Sequence, residues 1–152
     1  MILFAPSGKW ERLRLLIEKS VELGVDKIYI TKTTFSNRDY SQKKEKIELV
    51  IRESCKQCIR YTFPEFEIIK FEEIFRLAPK NTYFLDFNGE KFPENIADDV
   101  ALIVGPEGGF TEQEIIKLKE NFKSLVLGKK ILRFETAAIV SLSYFAIKLS
   151  KI

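Results

Sequence analysis

The chain has 152 residues, 45% of them hydrophobic and 31% charged, which is enough material for one globular domain with a buried core. It has no histidine, so the imidazole of common hydrolase triads and most zinc sites is excluded, and acid–base work falls to carboxylates, Lys, Tyr, Cys or water. The net charge of +3 is unevenly spread, with 13 basic and 8 acidic residues over 1–60, 4 and 10 over 61–110, and 8 and 4 over 111–152. Basic ends around an acidic middle permit a nucleic-acid face and equally fit an ordinary solvated surface. No apolar run approaches transmembrane length, and Met1-Ile2-Leu3-Phe4 is too short and uncharged for a signal peptide, so a cytoplasmic protein without a membrane partner is expected.

Taken in order, Ile2-Leu3-Phe4 reads as a first strand. Ser7 is placed to cap a helix over 9–23 whose stripe of Trp10, Leu13, Ile17 and Val21 faces a core, with Gly24 as its C-terminal stop. A strand over 27–30, a polar loop over 31–42 and a helix over 43–60 follow, the helix marked by Ile47, Val50, Ile51, Ser54 and Cys58 on one face. Cys55 and Cys58 form a lone CxxC within that pattern. Without a second pair or a histidine they read as reduced helix residues, and no metal is expected. Beyond Pro64, strands are expected over 67–70, 83–85, 100–104 and 124–127, with a short helix over 71–77. The last helix, 135–150, is apolar nearly all round and therefore belongs in a core or an interface. Strands alternating with helices predict an α/β fold, a mainly parallel sheet with helices on both faces, in a single domain over 1–152.

Two loops carry the chemistry. Ala101-Leu102-Ile103-Val104 is a short buried strand that runs into Gly105-Pro106-Glu107-Gly108-Gly109, where Pro106 fixes one φ and two glycines permit positive φ. Thr111 is then placed to cap a helix beginning at Glu112, with Glu114 in the capping-box position. Strand, glycine turn and helix start leave backbone N–H groups free for a ligand; a plain β–α turn is the competing interpretation. The GxxxxGK[ST] and GxGxxG spacings are absent. The second loop, Gly128-Lys129-Lys130-Ile131-Leu132-Arg133-Phe134-Glu135-Thr136-Ala137-Ala138, follows another apolar stretch and leads into the last helix.

The pair IVGPEGGFTEQEI and LGKKILRFETAA resembles the RsmE family of 16S ribosomal RNA (uracil-N3)-methyltransferases, of the SPOUT class. The likeness extends to Lys19-Ser20-Val21-Glu22-Leu23-Gly24-Val25, and to Phe35-Ser36-Asn37-Arg38, where Asn37 replaces a usual glutamate. It also includes Gln57 and Arg60 before Pro64-Glu65, with Lys56 at another glutamate position. Two departures stand out. The family's N-terminal PUA-like RNA-binding domain would end where this sequence begins, so targeting is expected to come from elsewhere. The family's Leu-His-Pro turn becomes Leu85-Asp86-Phe87-Asn88-Gly89, which alters part of the pocket. The resemblance implies a C-terminal trefoil knot, S-adenosylmethionine as cofactor, 16S ribosomal RNA or the small ribosomal subunit as partner, and a homodimer.

It also implies site residues. Leu85, Gly105, Gly109, Leu127, Gly128, Ile131, Leu132 and the Thr136-Ala137 backbone are expected to line the cofactor pocket, since an adenine edge can be read by backbone groups of tight loops. Core packing is the alternative for Leu127, Ile131 and Leu132. Arg133 is the first candidate for stabilising negative charge on the base or holding a phosphate. Glu107 and Glu135 are candidates for a general base or for orienting Arg133, against the plainer roles of a turn residue and a helix N-terminal acid. Arg38 and Arg60 are candidates for RNA phosphate or a partner subunit, and equally for surface ion pairs. A ribose 2′-O-methyltransferase of the same class ranks lower, because the SLNxS-type sequence of that branch is replaced by LRFETAA. A non-catalytic RNA-binding or assembly protein that retains the fold is the third reading.

Overall fold

The computed structural model describes residues 1–36 and 38–152. Six strands form one sheet: β1 (Ile2–Pro6), β2 (Lys27–Lys32), β3 (Glu65–Lys70), β4 (Thr82–Glu90), β5 (Ala101–Ile103) and β6 (Lys123–Leu125), ordered β3-β2-β1-β5-β4-β6. All five ladders are parallel. β5 lies in the middle, with Ala101 in register with both Ile2 and Thr82. Its three residues are buried on both faces, which is why this segment is an unbroken apolar run rather than an alternating one.

Five helices cover the sheet: α1 (Trp10–Glu22), α2 (Lys44–Gln57), α3 (Ile74–Leu77), α4 (Glu112–Asn121) and α5 (Phe134–Lys148). Side-chain alternation along the strands sorts the core into two. Leu3, Ile28 and Leu102 pack with Leu13, Ile17, Ile47 and Leu142 of α1, α2 and α5. Phe4, Tyr29, Phe84 and Ile103 pack on the other face with Ile74 of α3 and Leu118 of α4. The expected α/β architecture with helices on both faces is present.

Several boundaries differ from expectation. Ser7 does not cap α1; Lys9 is the cap residue. β1 runs on to Pro6, so the Ser7 hydroxyl is left inside the fold, where it donates to the Ser36 carbonyl at 2.6 Å. β6 ends at Leu125, two residues before the expected end, and the Val126 N–H beyond it donates to the Glu90 carbonyl of β4 at 2.9 Å. β4 is longer than its apolar run: Leu85 and Glu90 are both in register with Leu125, so residues 86–89 bulge out of the ladder. Gly89 is required there, since a Cβ would lie 2.5 Å from the Leu125 backbone. α5 is not buried all round, as Val140 and Ile147 are 46% and 65% exposed. Among the described residues, no helix is long and apolar enough to cross a membrane.

Candidate active site

β4, β5 and β6 end side by side, and their C-terminal ends open onto a cavity of about 250 Å³. Ligands bind at this edge of parallel sheets because the strand ends and helix starts leave backbone groups unpaired there. The walls are the glycine loop after β5 and residues 126–132 after β6. The Gly109 N–H donates to the Pro106 carbonyl at 2.8 Å, closing a turn that puts Gly109 at φ 72°. At Gly109 and Gly128 (φ 149°) a Cβ would meet nothing within 4 Å, so both positions border open space. At Gly105 a Cβ would come within 2.9 Å of the Phe110 ring, so the missing side chain is what lets this cavity-lining ring close on its own loop.

The start of α4 anchors the loop. Thr111 Oγ1 accepts from the Glu114 N–H at 3.2 Å, and Glu114 Oε2 accepts from the Thr111 N–H at 2.8 Å, forming the expected capping box. The other oxygen, Oε1, accepts from both the Thr34 N–H and the Thr34 hydroxyl at 3.0 Å. One buried carboxylate thus ties the glycine loop to the loop after β2, 80 residues away in sequence.

Leu85, Gly105, Gly109, Leu127, Gly128, Ile131, Leu132 and Ala137 all border the cavity, as does Glu107. Thr136 does not; its side chain points outward at the start of α5, where helix geometry places it away from Ala137. Glu135 is also outside the cavity, buried on another side of the same turn. Arg133 is the cap residue of α5, exposed and without an ion pair among the described residues, one position beyond cavity-lining Leu132. Ile131, 85% exposed, stands at the mouth.

Arg12, in the first turn of α1, joins the two candidate carboxylates. Its Nη1 pairs with Glu107 Oε1, and its Nε lies 3.8 Å from Glu135 Oε1. The Glu135 side chain is 7% exposed, and its Oε2 is buried with no hydrogen-bond partner. The guanidinium therefore bridges the glycine loop and the start of α5, and it neutralises a carboxylate that would be expensive to bury alone. Sequence reasoning missed Arg12. Its one signal was a cation in a helix first turn, where the dipole disfavours it unless a partner is present.

Arg60 takes the ion-pair alternative. Its Nη1 donates to the Val21 and Val25 carbonyls at 3.1 and 2.7 Å, and Nη2 reaches Asp26 Oδ1 at 3.4 Å. The guanidinium closes the end of α1. Arg38 is exposed. Neighbouring Asp39 pairs with Lys32 at 3.1 Å, and the Ser41 backbone N–H leads in pulling its carboxyl down to about 2. The Asn37 position of the same loop lies outside the described residues. Cys55 is buried, and burial pushes its thiol above the usual range; both cysteines are free.

A parallel α/β sheet whose strand ends and two glycine-bearing loops border an apolar cavity defines a ligand-binding α/β domain. The RNA methyltransferase domain model matches residues 1–146, and the chain belongs to that family. It is 36% identical over 157 residues to ribosomal RNA small subunit methyltransferase E of Buchnera aphidicola subsp. Schizaphis graminum, covering 93% of this chain and 62% of that protein. Against the Helicobacter pylori (strain J99) protein of the same name the identity is 34% over 122 residues, covering 78% and 54%. The chain thus spans little more than half of these relatives' length. The crystal structure of ribosomal RNA small subunit methyltransferase E from Neisseria gonorrhoeae, bound to S-adenosyl methionine, superposes with a TM-score of 0.87 at 28% identity, over 96% of this chain and 65% of that one.

Proposed function

We propose that this chain binds S-adenosylmethionine in the cavity at the ends of β4, β5 and β6 and methylates N3 of a uridine in 16S ribosomal RNA. The observation that carries this reading is the cavity itself. Eight of the nine residues expected to hold the cofactor border it, and its two positive-φ glycines leave room where any side chain would intrude. The likeness to small-subunit methyltransferases, one of them bound to this cofactor, supports both the ligand and the acceptor.

When bound, the cofactor supplies an electrophilic methyl group on a sulfonium. The chain's residues have three tasks. The glycine loop and residues 126–132 hold the donor and exclude water, so orientation supplies much of the rate. Arg133, exposed beside the mouth, meets the negative charge that develops as uracil N3 loses its proton, or a phosphate next to it. Glu107, at the cavity and half exposed, is placed to take that proton. Glu135 lies away from the cavity, and its part is to hold Arg12. Arg38 is kept as an RNA-phosphate contact.

The reading includes a single SPOUT domain with a knotted C-terminal segment, as the family resemblance implies; α5, which follows the edge strand β6, packs on α1 and on central β5. It also includes a homodimer acting on the small ribosomal subunit in the cytoplasm, and cofactor binding without a metal. The test is incubation with small subunits and labelled S-adenosylmethionine, followed by nucleoside analysis. The expected product is 3-methyluridine; label on ribose would favour the 2′-O reading, and cofactor binding without any label an assembly role. Arg133→Ala should cost about 2.7–4 kcal/mol of transition-state stabilisation, as loss of an oxyanion-hole donor does. Calorimetric cofactor affinity should stay within a few-fold of the parent and survive a chelator.

A further inference from the structure

We propose that Phe35 is a stacking platform for an unpaired RNA base next to the one that enters the cavity; this rests on the RNA reading above. Phe35 is 58% exposed, yet its backbone is pinned on both sides. The Thr33 N–H donates to the Ser36 carbonyl at 3.0 Å, and the Ser36 N–H returns to the Thr33 carbonyl at 3.3 Å. These bonds close a hairpin with Thr34 and Phe35 at its tip. The Ser7 hydroxyl donates to the same Ser36 carbonyl, and Glu114 holds Thr34 by its N–H and its hydroxyl. An exposed aromatic is thus fixed before any partner arrives, and little freedom is left to lose on binding.

Its place is the rim of the glycine loop. A Cβ on Gly108 would come within 3.1 Å of the Phe35 Cβ and 3.4 Å of its Cγ, so the missing side chain lets the aromatic lie directly on the loop. Glu107 and Gly109, on either side of Gly108, line the cavity, whereas Phe35 does not. Phe35 therefore stands beside the cavity rather than in it. Cations surround it. Arg38 is exposed three residues on, and Lys32, Lys70 and Lys117 share with Thr34 a depression at the ends of β2 and β3. Asp39 and Glu72 pair with Lys32 and Lys117, and Lys70 is exposed.

The chemistry selects the partner. A base that receives a methyl group on N3 has to leave its stack and turn into the cavity. Its neighbour is left with one bare face in water. A flat, exposed ring beside the entrance covers such a face, and RNA-binding proteins hold unpaired bases on aromatic side chains in this way. The nearby cations suit the phosphates on either side. A second copy of this chain fits the patch less well, because a two-fold contact centred on Phe35 sets Arg38 and Lys32 against their own copies.

The test measures methyl transfer from labelled S-adenosylmethionine to small ribosomal subunits by the parent, Phe35→Ala, Phe35→Leu and Phe35→Tyr, with light scattering of each. Tyr61→Ala is the control, since Tyr61 is an aromatic 90% exposed ahead of β3. Phe35→Ala should raise KM for the subunits about tenfold with kcat within about twofold, because a stacked base is held alike before and during the reaction. Calorimetric affinity for S-adenosylhomocysteine should not change. Phe35→Leu should lose most of what alanine loses, and Phe35→Tyr should stay near the parent. A leucine variant as good as the parent means plain apolar contact, and an alanine variant with parental KM means no contact. Either result overturns the proposal while the methyltransferase reading stands. A rise in KM that comes with lost cofactor affinity or a changed oligomeric state, or that Tyr61→Ala matches, overturns it too. A parent that transfers no methyl group removes both.

Discussion

Arg12 shows how much one side chain can decide at this site. It pairs with Glu107 of the glycine loop and lies 3.8 Å from Glu135 of α5, and it alone compensates the buried Glu135 carboxylate among the described residues. Removing one partner of such a group leaves an uncompensated charge, at a cost of about 3–5 kcal/mol. Arg12→Ala should therefore lower stability by roughly that amount in urea unfolding. Adding Glu135→Gln should restore most of it, because the neutral amide no longer demands a cation. If the single variant unfolds like the parent, the bridge is an ornament of the surface. If the double variant is no more stable than the single, Arg12 acts through Glu107.

At the level of elements, the β5–loop–α4 unit is the part whose geometry is least negotiable. Gly109 sits at φ 72°, which a β-branched residue adopts only with strain of about 1–3 kcal/mol. Two residues later the Thr111–Glu114 capping box begins α4, and the same Glu114 holds Thr34 across the chain. Gly109→Val should lower both unfolding free energy and cofactor affinity, since its side chain enters the space left open beside the loop. Gly109→Ala should show a smaller loss of both. The pattern contrasts with Arg133→Ala, which leaves binding intact. A valine variant with parental cofactor affinity would move the binding surface away from this loop.

For the whole molecule, the decisive feature is the outer face of α5. Its inner face, with Ala138, Leu142, Phe145 and Ala146, is buried in the core. Thr136, Val140, Ser143 and Ile147 follow at helical spacing, with Val140 and Ile147 exposed. Two exposed apolar side chains, flanked by small polar ones, on a helix packed against α1 and β5 suit a two-fold interface, where one patch meets its own copy. Light scattering should report a dimer, and the double variant Val140→Glu and Ile147→Glu should yield a folded monomer. A parent that scatters as a monomer at working concentration would count against the assembly.

Much of this was legible in the chain. The unbroken apolar run at 101–104, the glycines after it, and Thr111 with Glu114 state a buried parallel strand, a tight turn and a capped helix, and each is local chemistry acting over a few residues. Periodicity likewise announced the two-faced sheet and the helices that cover it. Boundaries were less legible where a distant partner sets them. Ser7 donates to Ser36 rather than capping a helix, and β4 runs on to Glu90 because that residue pairs with Leu125 beyond the bulge. What only the tertiary structure decided is which charges meet. Arg12 reaches Glu107 and Glu135 across about a hundred residues, Arg60 turns inward to the end of α1, and the β4 bulge sets Asp86 in the cavity wall. Local propensity acts through neighbouring residues and is written in the order of the sequence. The pairing of buried charges depends on distances that exist only once the sheet has brought separate segments together.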